Sequence, residues 1–243
     1  MKFKDQIPNF ITLLNLLSGS IAIILVFNDK LTLASWFIIL AAIFDFFDGF
    51  LARLLHAKTG IGAQLDSLAD VISFGLAPSA IIYRLILHDP NIPELSAGNM
   101  PILPFVALLL VVSGAYRLAR FNTDPAQSDE FKGLPIPATG LFVAALPLIL
   151  NQYDKAPGLT SILENSYTLI TIVIFLSWMM VSNLPMIAIK FKNLKWQDNA
   201  YRFILIGSAP VLFALFRFTA VPMIIFLYII LSVISLSLKN KNS

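Results

Sequence analysis

The chain has 243 residues, 58% of them hydrophobic and 13% charged, with a mean hydropathy of +0.81. A soluble globular domain is nearer half apolar and a quarter charged, so the composition excludes an ordinary soluble enzyme and indicates the membrane class. There is no cysteine, which excludes disulfides and thiolate metal sites; the net charge of +3 says little as a sum, and no nucleic-acid partner is expected.

A membrane span needs about 20 mostly apolar residues. In chain order, eight segments meet that need, at roughly 8–28, 32–55, 62–87, 102–121, 134–152, 166–189, 200–216 and 219–238. The first follows a short basic start and is too long for a signal-peptide core, so it is read as a retained span. Only Arg217 and its neighbours separate the last two, which are expected to be short spans joined by a tight turn. The expected fold is all-α: a polytopic bundle of about eight transmembrane helices in one domain, 1–243.

The basic residues set the orientation. With a cytoplasmic N-terminus, the inner ends carry Lys2, Lys4, Arg53, Lys58, Arg117, Arg120, Lys132, Lys190, Lys192, Lys195, Arg202, Lys239 and Lys241. The outer ends carry Lys30, Arg84, Lys155 and Arg217, which makes 13 against 4 of the 17 basic residues. Both termini are therefore expected in the cytoplasm. The longest polar connection runs from about Asn122 to Gly133.

The second and third segments carry four aspartates, Asp45, Asp48, Asp66 and Asp70, in otherwise apolar helices. At a helix centre each costs roughly 2.5–3.5 kcal/mol on insertion scales, so the group needs compensation. Asp45 and Asp48 are spaced i, i+3, and Asp66 and Asp70 i, i+4, so each pair shares one helix face. A short connection makes the helices antiparallel neighbours, which brings both pairs to similar depth. Hard divalent ions such as Mg²⁺, Mn²⁺ or Ca²⁺ are the natural partners of converging carboxylates. Two other readings stay open: structural pairing with Arg53 and Arg84, and a proton or cation pathway in a transporter. Gly49, Ala52 and Gly62 strip bulk from beside the aspartates, which suits either a flat ligand or close helix packing. Arg53 is positioned to bind a phosphate or to pair with a carboxylate.

These residues read Asp45-x2-Asp48-Gly49-x2-Ala52-Arg53-x8-Gly62-x3-Asp66-x3-Asp70, and the pattern resembles the signature of the CDP-alcohol phosphotransferase family at all eight fixed positions. Three further stretches resemble the phosphatidylserine synthase branch: Ser73-Phe74-Gly75-x-Ala77-Pro78, Tyr116 to Asn122, and Phe131-Lys132-Gly133-Leu134-Pro135-x-Pro137. The N-terminal Pro8-Asn9-x2-Thr12-x2-Asn15 is also similar.

The resemblance implies a catalytic core over 6–150, with 151–243 as additional membrane helices. It implies transfer of the phosphatidyl group of CDP-diacylglycerol to the hydroxyl of L-serine, with CMP leaving. It implies a two-metal site, Mg²⁺ or Mn²⁺, on Asp45, Asp48, Asp66 and Asp70, with Asp70 also the general base. Gly49, Ala52, Arg53, Gly62, Asn9 and Thr12 would bind the CDP moiety. Arg117, Arg120 and Asn122 would bind the serine carboxylate or the lipid phosphate; the alternative for these basic residues is anchoring at the membrane surface. A homodimer in a bacterial inner membrane, its site facing the cytoplasm, completes the expectation. The nearest rival keeps the chemistry with glycerol-3-phosphate, inositol phosphate or choline as acceptor, and the remote one is a cation transporter. His56 is expected at the interface, with contact to a phosphate as the alternative; His88 falls on the opposite side and is expected to be incidental; Trp36, Trp178 and Trp196 are expected at the interface or in packing.

Overall fold

Hydrocarbon offers no water to a backbone N–H or C=O, so a chain of this composition satisfies those groups within helices. The computed structural model describes residues 3–57, 60–92, 95–97, 100–123, 131–153, 157–187 and 196–239. Lys2, Lys58, Lys155, Lys190, Lys192, Lys195 and Lys241, used above for orientation, and residues 124–130 of the long polar connection lie outside them.

The helices are α1 (Phe3–Phe27), α2 (Leu31–Leu54), α3 (Gly60–Asp70), α4 (Ala77–His88), α5 (Leu109–Thr123), α6 (Ile136–Gln152), α7 (Pro157–Leu163), α8 (Ser166–Val181), α9 (Trp196–Phe216) and α10 (Ala220–Lys239). α3 and α4 are one continuous helix through a π-helical segment, Val71–Leu76. A 3₁₀ segment, Leu103–Leu108, leads into α5, and another, Arg217–Thr219, joins α9 to α10 at a positive φ of 49° on Arg217. Among the described residues there are also two antiparallel strand pairs: β1 (Ser96–Ala97) with β2 (Met100–Pro101), and β3 (Phe131–Lys132) with β4 (Pro185–Met186).

Among the described residues, four helical runs are long and apolar enough to cross a membrane: Gln6–Phe27, Gly60–His88, Leu103–Thr123 and Asn199–Ser235. α6 and α8 are shorter apolar helices. Each of the eight predicted segments contains a helix, with one shortened. The sixth was expected to run to 189, but α8 stops at Val181 and the chain turns extended at Ser182, with ψ 154°. Pro185 explains part of this, since a residue preceding proline is driven from helical to extended backbone. The start of α8 is fixed by Asn165, whose side chain accepts hydrogen bonds from the Tyr167 and Thr168 amides at 3.0 and 3.3 Å. Asp89 adds to it, its Oδ2 accepting from the Ser166 amide at 2.7 Å.

α6 lies deepest, and its side chains meet Phe74, Ile81, Ile82 and Ile86 of the third helical run in the core. Several hydroxyl groups in the helices bond back to the carbonyl one turn earlier, as in Ser18 to Leu14 (2.8 Å) and Ser79 to Gly75 (2.8 Å), and so do not need water. The π segment is held by close approaches on two sides. A Cβ on Gly19 of α1 would fall 2.3 Å from Ser73 Oγ, and one on Gly140 of α6 would fall 2.9 Å from the Phe74 Cα. Ser73 Oγ in turn donates to the Asn15 carbonyl at 3.0 Å.

At the end of the bundle away from the aspartates, Arg84 grips Asp29 through both carboxylate oxygens, and His88 Nε2 lies 3.1 Å from Asp29 Oδ1. The Arg84 guanidinium holds the Asp29 carboxyl below the usual carboxylate range. His88, expected to be incidental, is thus part of an ion cluster.

Candidate active site

The second half of α2 supplies Asp45 and Asp48; α3 supplies Asp66 and, at its last residue, Asp70. One carboxylate oxygen from each of Asp45, Asp48 and Asp66 lies within 4.8 Å of the others. Asp70 is one turn beyond Asp66, buried at 7% exposure, with Asp45 and Asp66 as its charged neighbours. Both predicted pairs therefore converge on one region.

Among the described residues no ion pair compensates them. Among the described residues, the side-chain ion pairs are those of Arg84 and His88 with Asp29, at the opposite end. Arg84 is thereby removed as a structural partner of the aspartates. Arg53 is exposed, and its Nη2 lies 3.9 Å from where a Gly49 Cβ would sit, beside the cluster but unpaired with it. Like charges this close repel strongly in a low-dielectric setting, so the group calls for cations or protons. Asp48 Oδ2 and Asp70 Oδ1 are buried without a hydrogen-bond partner. Exclusively oxygen donors, clustered and with unused buried lone pairs, fit hard divalent ions such as Mg²⁺ or Mn²⁺.

A cavity of about 410 Å³ opens directly onto the carboxylates, lined by Pro8, Asn9, Thr12, Asp45, Asp48, Gly49, Ala52, Ala57, Gly62, Ala63 and Asp66. Five of the six residues expected at the CDP moiety, namely Asn9, Thr12, Gly49, Ala52 and Gly62, are on this wall; Arg53 is just outside it. The volume is ordinary for a nucleotide-sized ligand. The small side chains of α2 and α3 keep it open. Thr12 Oγ1 donates to the Pro8 carbonyl at 3.1 Å, and the stretch of α1 from Pro8 to Thr12 forms a third, polar wall.

The three residues expected at the acceptor diverge. Arg117 is buried at 8% exposure, its Nε has no partner, and its ionisable neighbours are the carboxyl of Asp70 and the neutral phenol of Tyr228. Arg120 turns away, its Nη2 donating to Asn183 Oδ1 at 2.5 Å. Asn122 Nδ2 donates to Ser67 Oγ at 2.9 Å, tying the end of α5 to α3 between Asp66 and Asp70. The i, i+3 spacing of the arginines did not make one shared patch, because long side chains follow their tertiary partners.

Sequence reasoning gave no role to four residues that border the site. Asn15 of α1 is fully buried with neither side-chain atom hydrogen-bonded, and it faces Asp70. An asparagine in an apolar helix is a signal in itself, since an unpaired buried amide costs about 1–3 kcal/mol. Ser67, Asn183 and Tyr228 carry no such mark: they act through tertiary partners far away in the chain.

A family model described as CDP-alcohol phosphatidyltransferase matches residues 5–189. The chain is 34% identical over 201 residues to a protein of Helicobacter pylori named CDP-diacylglycerol--serine O-phosphatidyltransferase, covering 82% of this chain and 78% of that one. It is 33% identical over 158 residues to a Bacillus subtilis protein of the same name, covering 63% of this chain and 82% of the relative. It is 35% identical over 148 residues to an archaetidylserine synthase of Methanothermobacter thermautotrophicus, covering 58% of each.

Proposed function

Because the chain belongs to the CDP-alcohol phosphatidyltransferase family, we propose that it transfers the phosphatidyl group of CDP-diacylglycerol to the hydroxyl of L-serine, giving phosphatidylserine and CMP. The observation that carries this reading is the set of converging, unpaired carboxylates opening onto a cavity walled by small residues. The names of the relatives support serine as the acceptor: they agree on serine while differing in the lipid.

In this reading the cavity between α1, α2 and α3 takes the cytidine and ribose, with Gly49, Ala52 and Gly62 admitting them close to the helix backbones and Asn9 and Thr12 facing them from α1. Arg53 binds a phosphate at the cavity mouth. Asp45, Asp48, Asp66 and Asp70 hold two divalent ions, which when bound neutralise the diphosphate and stabilise charge on the departing CMP. Asp70 accepts the proton of the serine hydroxyl as its oxygen bonds to the lipid-bearing phosphorus and the bond to CMP breaks. Burial of Asp70 among helices keeps bulk water, a competing acceptor, away from that phosphorus. Arg117, buried and unspent beside Asp70, binds the serine carboxylate. Arg120 and Asn122 shape the same wall through Asn183 and Ser67.

All eight helical segments span the bilayer in this proposal, with 6–150 as the catalytic core. Both termini and the aspartate end face the cytoplasm, where serine is drawn; the 13 to 4 distribution of basic residues supports that orientation. The protein is a homodimer of a bacterial inner membrane, as the family resemblance suggests.

The test is CMP release by purified protein with CDP-diacylglycerol and Mn²⁺ or Mg²⁺, comparing serine, glycerol-3-phosphate, inositol phosphate, choline and no acceptor. Serine-dependent release, reduced about 10²- to 10⁴-fold by Asp70→Asn, is the expected result. Release driven by another acceptor would keep the chemistry and overturn serine.

A further inference from the structure

The hairpin of α9 and α10 lies outside the residues matched by the family model, yet it meets the aspartate end through one strap of chain, Asn183 to Ile187. At one end of the strap, Asn183 Oδ1 accepts from Arg120 Nη2 at 2.5 Å. In the middle, the Leu184 carbonyl accepts from the Gly133 amide at 2.8 Å, and Pro185–Met186 pair with Phe131–Lys132. Gly133 has φ 73°, and a Cβ there would fall 2.3 Å from the Met180 carbonyl oxygen, so the strap sits on a turn only glycine fits.

At the other end, α10 takes both polar groups of one residue. The Ile187 carbonyl accepts from Tyr228 Oη at 3.1 Å, and the Ile187 amide donates to Ser232 Oγ at 3.2 Å. Ser232 Oγ also donates to the Tyr228 carbonyl at 2.7 Å, which locks the two side chains to each other's turn. Tyr228 and Ser232 are 9% and 1% exposed. Buried polar groups in a membrane helix are costly, and here both are spent on holding a loop that touches the arginine wall.

We propose that Tyr228 and Ser232 are positioning residues for the acceptor: α10 fixes the strap, and the strap fixes Arg120 and the wall of α5 that carries Arg117. The proposal rests on the reading of the chain as a transferase with an amino-acid acceptor. It assigns a role in acceptor selection to the C-terminal hairpin. The nucleotide cavity is walled by α1, α2, α3 and the chain between them, with no residue of the strap or α10 on it, so the effect is selective.

The experiment measures the Michaelis constants for serine and CDP-diacylglycerol, and the thermal midpoint, for wild type, Tyr228→Phe, Ser232→Ala and Asn183→Ala. Loss of one hydrogen bond corresponds to about a 2- to 10-fold change in affinity. The expected result is a serine KM raised by about that factor from either end of the strap, with the CDP-diacylglycerol KM held and the thermal midpoint lowered by no more than about 4 °C. An unchanged serine KM in Tyr228→Phe and Ser232→Ala overturns the role of α10, even if Asn183→Ala raises it. Parallel loss of both constants, or a drop in thermal midpoint that accounts for the change, reduces these residues to structural support and also overturns it. A wild type that releases no CMP with serine instead removes the transferase reading beneath it.

Discussion

Gly49→Ala separates folding from ligand binding at a single methyl group. In the interior of a helix, glycine is about 0.5–1 kcal/mol less favourable than alanine because it loses more backbone freedom on folding. A Cβ at Gly49 would meet nothing but Arg53 Nη2, at 3.9 Å, which is an ordinary contact with a flexible side chain. No steric cost therefore offsets the gain, and Gly49→Ala is expected to fold as well as wild type or better, by up to about 1 kcal/mol. For a chain of this size that is about 2–4 °C in thermal midpoint. Yet Gly49 lines the cavity between Asp48 and Ala52, so the methyl group projects where the nucleotide is proposed to lie. A displacement of the reacting group by about 1 Å costs on the order of 10²-fold. Gly49→Ala should thus lose about 10- to 100-fold in kcat/KM for CDP-diacylglycerol while its midpoint, followed by intrinsic tryptophan fluorescence in detergent, holds or rises. Full activity would mean that no ligand approaches the backbone there. A lowered midpoint would mean that Gly49 serves packing, and the assignment of this wall to the nucleotide would fall with it.

Gly19→Ala should do the reverse, destabilising by about 1–3 kcal/mol, because its Cβ would fall 2.3 Å from Ser73 Oγ and 2.6 Å from the Ser73 Cα, which a rotamer change cannot relieve. Mn²⁺ should raise the thermal midpoint without substrate, by the equivalent of about 2.7 kcal/mol at one hundred times its Kd, and Asp48→Asn should weaken that rise; equal shifts in both proteins would remove Asp48 from the ion site. Burial pushes the Asp89 carboxyl up, but hydrogen bonds from Ser166 and Asn91 outweigh it and hold the group below its ordinary value of 3.8. Its charge-linked contribution is present above pH 3.8 and is lost as pH falls through the lower folded value, so the cost of Asp89→Ala, about 1–3 kcal/mol at neutral pH, should shrink in strong acid.

The aspartates were legible because charge in an apolar helix is costly and must be answered by something nearby. Gly49, Ala52 and Gly62 were legible as a site only through their spacing relative to those charges; alone they read equally as helix packing. The helices were legible from apolar length, but their ends were not: α8 stops at Val181 because the strap beyond it bonds to β3 and α10, partners that no local period announces. Tyr228 looks like one more aromatic in an apolar run until its hydroxyl is seen at the Ile187 carbonyl. Arg117 and Arg120 share a spacing but not a destination, since burial draws one inward and Asn183 draws the other aside. The Asp29 cluster at the end away from the aspartates was missed because Asp29 and Arg84 sit 55 residues apart.

The π segment at Val71–Leu76 gives the third helical run two independent phases. An α-helix turns about 100° per residue, and a widened turn absorbs roughly one residue more than the helix on either side requires. Above it, Asp66 and Asp70 are aimed toward the carboxylates of α2; below it, Ile81, Ile82, Leu85 and Ile86 are aimed into the core. Neither half dictates the other's bearing. Substitutions that repack the lower half should therefore leave the carboxylates pointing where they do, and deleting a single residue from 71–76 should close the widened turn to ordinary α-helix with both bearings kept, whereas deleting one from the regular helix just beyond it would swing the two halves about a quarter turn apart.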